Sequence, residues 1–176
     1  VVDIALPELA ELPAINVAGG FAAAEAYAWH RRLMGEKGHL YDPRVKVRIE
    51  KGATQSAADY IDLCASRRDF NRRVGLACAP FDALLMPTVP RIAPTLAEVE
   101  AEDDYGRLNL LMLRNPSVVN FLDGCAVSVP CHAPDAPPVG LMVSGLHDGD
   151  ERVLAIAQAI EDLLSPLAAA RAPQRT

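Results

Sequence analysis

The final third of the chain constrains the fold most. The run Cys125-Ala126-Val127-Ser128-Val129-Pro130 closes on proline, and a second run, Val139-Gly140-Leu141-Met142-Val143-Ser144-Gly145, follows Pro138. Short apolar runs bounded by Pro and Gly read as strands. Asp148 or Asp150 then caps a stretch from about Glu151 to Leu164, where Val153, Leu154, Ile156, Ala157, Ile160, Leu163 and Leu164 form a wide apolar stripe. That spacing is helical. Across the chain the strands are fewer than the helices and lie far apart, which predicts an α/β fold: part of a mixed sheet, few strands covered by helices.

Other elements follow from local signals. Val1-Val2-Asp3-Ile4-Ala5-Leu6-Pro7 reads as an opening strand, entered without an initiator Met, and this predicts that the chain starts within a longer protein. Phe21 to Met34 is rich in helix formers between Gly19-Gly20 and Gly35, with Tyr27, Trp29, Leu33 and Met34 as its apolar surface and Trp29 and His30 in packing and solvent contact. Asp42-Pro43 starts a short helix that Gly52 ends. Ser56-Ala57-Ala58-Asp59 has the form of a capping box opening a helix to Ala79, on which Tyr60, Leu63, Cys64, Phe70, Val74 and Cys78 recur at helical spacing. Arg67, Arg68, Arg72 and Arg73 form its solvated, ion-paired side.

Phe81 to Thr88 reads as a buried strand stopped by proline. Open α/β sheets bind ligands beyond the carboxyl ends of their strands, so Pro87 and Thr88 are candidate site residues. Between Arg91 and Arg114 the carboxylates Glu98, Glu100, Glu102, Asp103 and Asp104 read as a solvated connector, with one or two helical turns at Leu108 to Leu113. The expected domain spans residues 1–164, and residues 165–176, after Ser165-Pro166, read as a frayed tail.

Composition narrows the function. A chain of 176 residues, 51% hydrophobic, can bury a core. Its net charge of −6, with basic residues interleaved among acidic ones, argues against a nucleic-acid partner. Apolar runs are too short to span a membrane. The cysteines at 64, 78, 125 and 131 form no CxxC pair and have no His at zinc-finger spacing, so neither a metal site nor a cofactor is expected and the thiols read as reduced, in a cytoplasmic protein. Cys125 and Cys131 share one side of their strand, and His132 adjoins Cys131 only in sequence, so no nucleophilic role is assigned.

Several motifs, taken in order, carry a family resemblance. Glu25-Ala26-Tyr27 with His30, Tyr41-Asp42-Pro43-Arg44 with Gly52, Ala58-Asp59-Tyr60, Asp82-Ala83-Leu84-Leu85-Met86-Pro87-Thr88, Asn120 to Pro130, and Pro138-Val139-Gly140-Leu141 before the last helix together resemble the C-terminal portion of the amidase signature family, from about Val2 to Leu164. The resemblance implies a mixed-sheet α/β/α fold of which this segment supplies the last strands and covering helices. It implies hydrolysis of the amide carbon-nitrogen bond of a small molecule by a Ser nucleophile, a second Ser in a cis peptide and a Lys, all on the Gly/Ser-rich N-terminal half. Nothing here matches that half, and Ser56, Ser66, Ser117, Ser128, Ser144 and Ser165 lack its Gly-rich setting; no catalytic residue is assigned, and Ser128 is expected only to pack in its strand. Asn120, Asp123 and Cys125, with Pro87 and Thr88, are the expected substrate-binding residues.

The same resemblance sets the expected partners: a small-molecule amide, the N-terminal half of the same protein and, through apolar edges left uncovered, a second copy in a homo-oligomer. Alone, the chain is expected to be inactive, for want of nucleophile, base and oxyanion donors. Asp123 and Cys125 stand where many members have Gly and Pro, and the resulting Asn-x-Leu-Asp-x-Cys-Ala pattern is similar to members acting on urea-like carbonyls, such as allophanate and biuret-type hydrolases. Two alternatives are the A subunit of a tRNA-dependent glutamyl/aspartyl amidotransferase, whose Tyr-Asp-Gly-Val-Arg and Gly-Tyr-Tyr segments do not occur here, and a non-enzymatic interaction module.

Overall fold

Helix starts are set by single side chains. In the computed structural model, which describes residues 1–133 and 135–170, Asp42 Oδ1 accepts from the Arg44 backbone N–H at 2.8 Å, with Pro43 at the first helical position. Asp59 Oδ2 accepts from the Ser56 N–H at 2.8 Å while Ser56 Oγ accepts from the Asp59 N–H at 3.1 Å, a reciprocal capping box. Each such cap stabilises its helix by about 1 kcal/mol. The chain divides into two compact units, Val1–Val74 and Gly75–Thr176.

The first unit is helical. A 3-10 turn, Pro7–Glu11, leads into α1 (Leu12–Ile15), followed by α2 (Gly20–Lys37), α3 (Pro43–Glu50) and α4 (Ala57–Cys78), whose last turn crosses into the second unit. The opening strand expected at Val1–Pro7 does not form: Val1 and Val2 are exposed with no strand to pair, and β-branched residues favour a sheet only where neighbours exist to pack on them. Gly52 lets the turn at Lys51–Thr54 press on α2, because a Cβ there would run into the Ala23 carbonyl. Phe21 meets Tyr60 edge-on at 5.5 Å, and Arg67 stacks on Phe21 at 5.2 Å. Two of the four arginines of α4 are shown ion-paired as expected, Arg72 to Asp69 and Arg73 to both Asp69 and Glu11. Trp29 corrects the expectation of packing: it is 83% exposed. His30 Nδ1 instead meets the Tyr41 hydroxyl at 2.8 Å.

The second unit holds the sheet. It contains β1 (Leu84–Pro87), α5 (Glu102–Phe121), β2 (Cys125–Pro130), β3 (Gly140–Gly145) and α6 (Asp150–Ala170). Strand order is β1-β3-β2, and every pair among the described residues is antiparallel. One face of this sheet packs on α6, where Val129, Val143, Val153 and Ala157 form the buried core. Burying each of these valines contributes about 1.5–3 kcal/mol.

Three expectations are corrected here. β1 is an edge strand whose alternate residues are exposed, so it is half-buried, not buried. The acidic connector is largely the helix α5: Glu102, Asp103 and Asp104 fall in its first turn, where carboxylates are favoured by the helix dipole, and Leu108 and Val119, three turns apart, are both buried. Finally, α6 continues through Pro166 to Ala170, past the expected end at Leu164. Residues 171–176 of the expected tail lie outside the described residues.

Candidate functional site

Antiparallel pairing decides which candidate residues can meet. Pro87 pairs with Leu141 at the start of β3, whereas Cys125 pairs with Gly145 at its end. Pro87 and Thr88 therefore stand at one end of the sheet, and Asn120, Asp123 and Cys125 at the other. The separation is about the length of β2, roughly 17 Å at about 3.4 Å per residue.

The Pro87 end is closed by neutral groups. Thr88 donates its backbone N–H to the Gly140 carbonyl at 2.8 Å, and its Oγ1 shares a 2.6 Å hydrogen bond with Ser128 Oγ. The hydroxyls meet across the middle strand because Gly140 has no side chain; a Cβ there would fall on both. Asn115, on α5, donates from Nδ2 to the Pro87 carbonyl at 2.7 Å and fixes the strand end. Ser128 thus does more than pack in its strand, and Asn115 was not among the expected residues.

The opposite end is charged and opens on a cleft. Asn120 lies on the last turn of α5, not in a loop, and is exposed. Asp123 follows with a left-handed φ of 58°, and Gly124 brings its backbone against the Gly145 carbonyl. Cys125 Sγ donates to the Leu146 carbonyl at 3.6 Å. Asp123 Oδ2 faces His147 Nδ1 at 3.2 Å, and His147 Nε2 lies 3.5 Å from Asp148 Oδ2. Beside them is a cleft of about 660 Å³, lined among others by Asp82, Ser144, His147, Asp148, Glu151 and Arg152. Ser144 is buried in the sheet and donates to the Leu84 carbonyl at 3.4 Å.

Of the expected residues, Asp123 comes to this cleft through His147, and Cys125 through the backbone of Leu146; none of the five is in its lining. Asp82, His147 and Asp148 were missed. The signal that finds two of them is the strand-end rule applied to β3, whose carboxyl end leads directly into Leu146-His147-Asp148-Gly149.

Chemically, the cleft offers carboxylates, an imidazole and a guanidinium: groups that orient a polar ligand by charge and hydrogen bonds. No group of three His, Cys, Asp or Glu side chains among the described residues is placed to hold a metal ion. The acidic residues expected as a solvated connector form no second site. Glu98 accepts from the Thr95 backbone N–H and from Arg91, and these bonds hold its carboxyl down to about 2. No helix among the described residues is long and apolar enough to cross a membrane.

A family model described as Amidase matches residues 1–154. The chain belongs to the amidase family. It is 31% identical over 169 residues to the 2-amino-5-chloromuconic acid deaminase of Comamonas testosteroni, covering 93% of this chain and 36% of that protein. With the A subunit of the glutamyl-tRNA(Gln) amidotransferase of Salinispora tropica it shares 30% identity over 131 residues, 72% of this chain and 26% of that one. Among solved structures, the Kluyveromyces lactis allophanate hydrolase superposes with a TM-score of 0.70 at 26% identity, over 89% of this chain and 26% of the hydrolase.

The family read from the motifs is thus the family found, and the α/β amidase fold with few strands under helices is shared. The chain spans about a third of the length of the first of these relatives and about a quarter of the second.

Proposed function

We propose that this chain is the C-terminal portion of an enzyme that hydrolyses the amide carbon-nitrogen bond of a small molecule. The observation that carries the reading is the family match over residues 1–154 in a chain spanning 36% of its deaminase relative. Residues 1–164 then form part of one amidase domain, whose last helix runs on to Ala170. The nucleophile, its base and the oxyanion donors lie on the N-terminal portion, which is the principal partner of this one. The chemistry requires them: a Ser hydroxyl is inert without a positioned base, and charge developing on the carbonyl oxygen needs donors aimed at it.

In this reading the present chain supplies a wall of the substrate site. Asn120, Asp123 and Cys125, at the end that opens on the cleft, are its nearest contributors. Pro87 and Thr88 shape the far end of the sheet. The Asn-x-Leu-Asp-x-Cys-Ala pattern and the likeness to an allophanate hydrolase favour a urea-like carbonyl among small amides. Reduced thiols fit a cytoplasmic enzyme, and apolar surface such as Trp29 and Leu110 fits contact with the N-terminal portion or a second copy. The A subunit of an amidotransferase is the second reading, favoured by the 30% identity to such a protein. It predicts copurifying partner proteins and ammonia transfer to a tRNA-linked acceptor.

The test is steady-state hydrolysis of a panel of small amides, urea-like ones included, by the full-length product of the native gene and by this chain alone. Turnover by the full-length product and none by the chain is expected. Turnover by the chain alone, or none by a folded full-length product, contradicts the reading.

A further inference from the structure

The turn before β2 and the loop after β3 are joined by one imidazole. Asp123 and Asp148 both occupy the left-handed region, φ 58° and 57°, which is unfavourable for a residue with a Cβ and persists where surrounding structure enforces it. Each presents a carboxylate to a different nitrogen of His147, at 3.2 Å on Nδ1 and 3.5 Å on Nε2. A neutral imidazole has a single N–H, so one of its nitrogens would turn a lone pair toward a carboxylate oxygen. Only the imidazolium donates from both sides. His147 and Asp148 line the cleft, and Asp123 holds the ring from outside the lining. The other charged groups lining the cleft are Asp82, which precedes β1, and Glu151 and Arg152 on the first turn of α6.

We infer that His147 is a positioning residue of this site: as an imidazolium it ties Asp123 to Asp148 across the edge of the cleft and holds the Asn120–Cys125 turn in place against β3. Loss of the ring proton undoes the tie. The ring charge also changes the cleft: with it, Asp82, Asp148 and Glu151 are opposed by His147 and Arg152, and without it by Arg152 alone. The inference rests on the proposed amide-hydrolase reading of the cleft.

The experiment compares wild type, His147→Gln and His147→Arg in the full-length enzyme, measuring KM and kcat for one small amide at pH 6 and pH 8.5. A positioning role through the charged ring predicts that His147→Gln raises KM about threefold over wild type at pH 6, the size of an exposed ion pair, with kcat little changed. Where the ring has lost its proton the two KM values converge, because wild type has then lost the tie itself. His147→Arg, charged at both values, keeps KM low at both. A His147→Gln to wild-type KM ratio that is the same at the two pH values overturns the inference, since a merely structural side chain would give that result. A second measurement is independent of turnover: the ring ¹⁵N shifts of His147, assigned by their absence in His147→Gln, should change at pH 6 when Asp123 is replaced by Asn. Unchanged ring shifts overturn the tie. Failure of the full-length protein to hydrolyse any amide would remove the amidase reading, while the ring shifts still decide whether the tie exists.

Discussion

The two ends of the small sheet are built from different chemistry. At the Pro87 end, a threonine, a serine, an asparagine and a glycine close the strands with short, neutral hydrogen bonds. At the Cys125 end, two aspartates in left-handed backbone flank a histidine beside an open cleft. Neutral bonds between short side chains fix a strand end; charges beside a cleft offer groups that can orient a polar ligand. The difference teaches that strand ends of one sheet are not equivalent candidates, even when each carries polar residues just past a strand.

The same substitution at each end should separate them most widely. A Cβ at Gly124 meets the backbone carbonyl of Gly145, which cannot step aside, whereas a Cβ at Gly140 meets side-chain hydroxyls that can rotate away. Urea unfolding should find Gly124→Ala destabilising by about 3 kcal/mol, the upper range for overpacking, and Gly140→Ala by about 1 kcal/mol, one hydrogen bond. Equal losses would erase the distinction between a backbone contact and a side-chain one.

Function should divide next. Asn120→Ala in the full-length enzyme is expected to lower kcat/KM about tenfold, near 1.4 kcal/mol; unchanged turnover by a folded variant removes Asn120 from the site. Asn115→Ala should do the reverse, costing about 1 kcal/mol of stability by leaving the Pro87 carbonyl without its donor, with little change in kcat.

The smallest effect belongs to neither end and calibrates both. Glu98 is held down to about 2 by the Thr95 backbone N–H first and by Arg91 next, below its ordinary 4.5. A depressed folded value means that the stabilisation is complete above about pH 4.5 and is lost as the pH falls toward 2. Carboxyl titration by NMR should find this low midpoint, rising in Arg91→Ala. A midpoint near 4.5 in wild type would mean that the capping bonds do not form in solution.

Much of the fold was legible because its signals are local. The Asp42-Pro43 cap, the Ser56–Asp59 box, the Pro- and Gly-bounded strands and the apolar stripe of α6 each specify structure within a few residues. α5 was legible only as its turns at Leu108 to Leu113: Gly106 and Pro116 interrupt its pattern, and the buried Leu108 and Val119 are too few to declare a longer period. Val1–Pro7 had strand composition but no partner, which composition cannot reveal. The arrangement of the candidate site was hidden for the same reason. Strand-end reasoning picked residues at both ends of the sheet, and only the antiparallel register separates Pro87 and Thr88 from Asn120, Asp123 and Cys125. His147 follows directly on β3, where the strand-end rule points, but its link to the turn before β2 shows only once the fold brings Asp123 to it.

The central claim is that substrate meets the charged end of this sheet. It is tested most directly by KM for a small amide in full-length Asp123→Ala and Thr88→Val. The account predicts a rise of about threefold for Asp123→Ala, which removes an exposed partner of the cleft-lining His147, and no measurable change for Thr88→Val, which removes only a neutral hydroxyl contact at the far end of the sheet. A larger rise for Thr88→Val than for Asp123→Ala would contradict it and move the substrate wall to the Pro87 end.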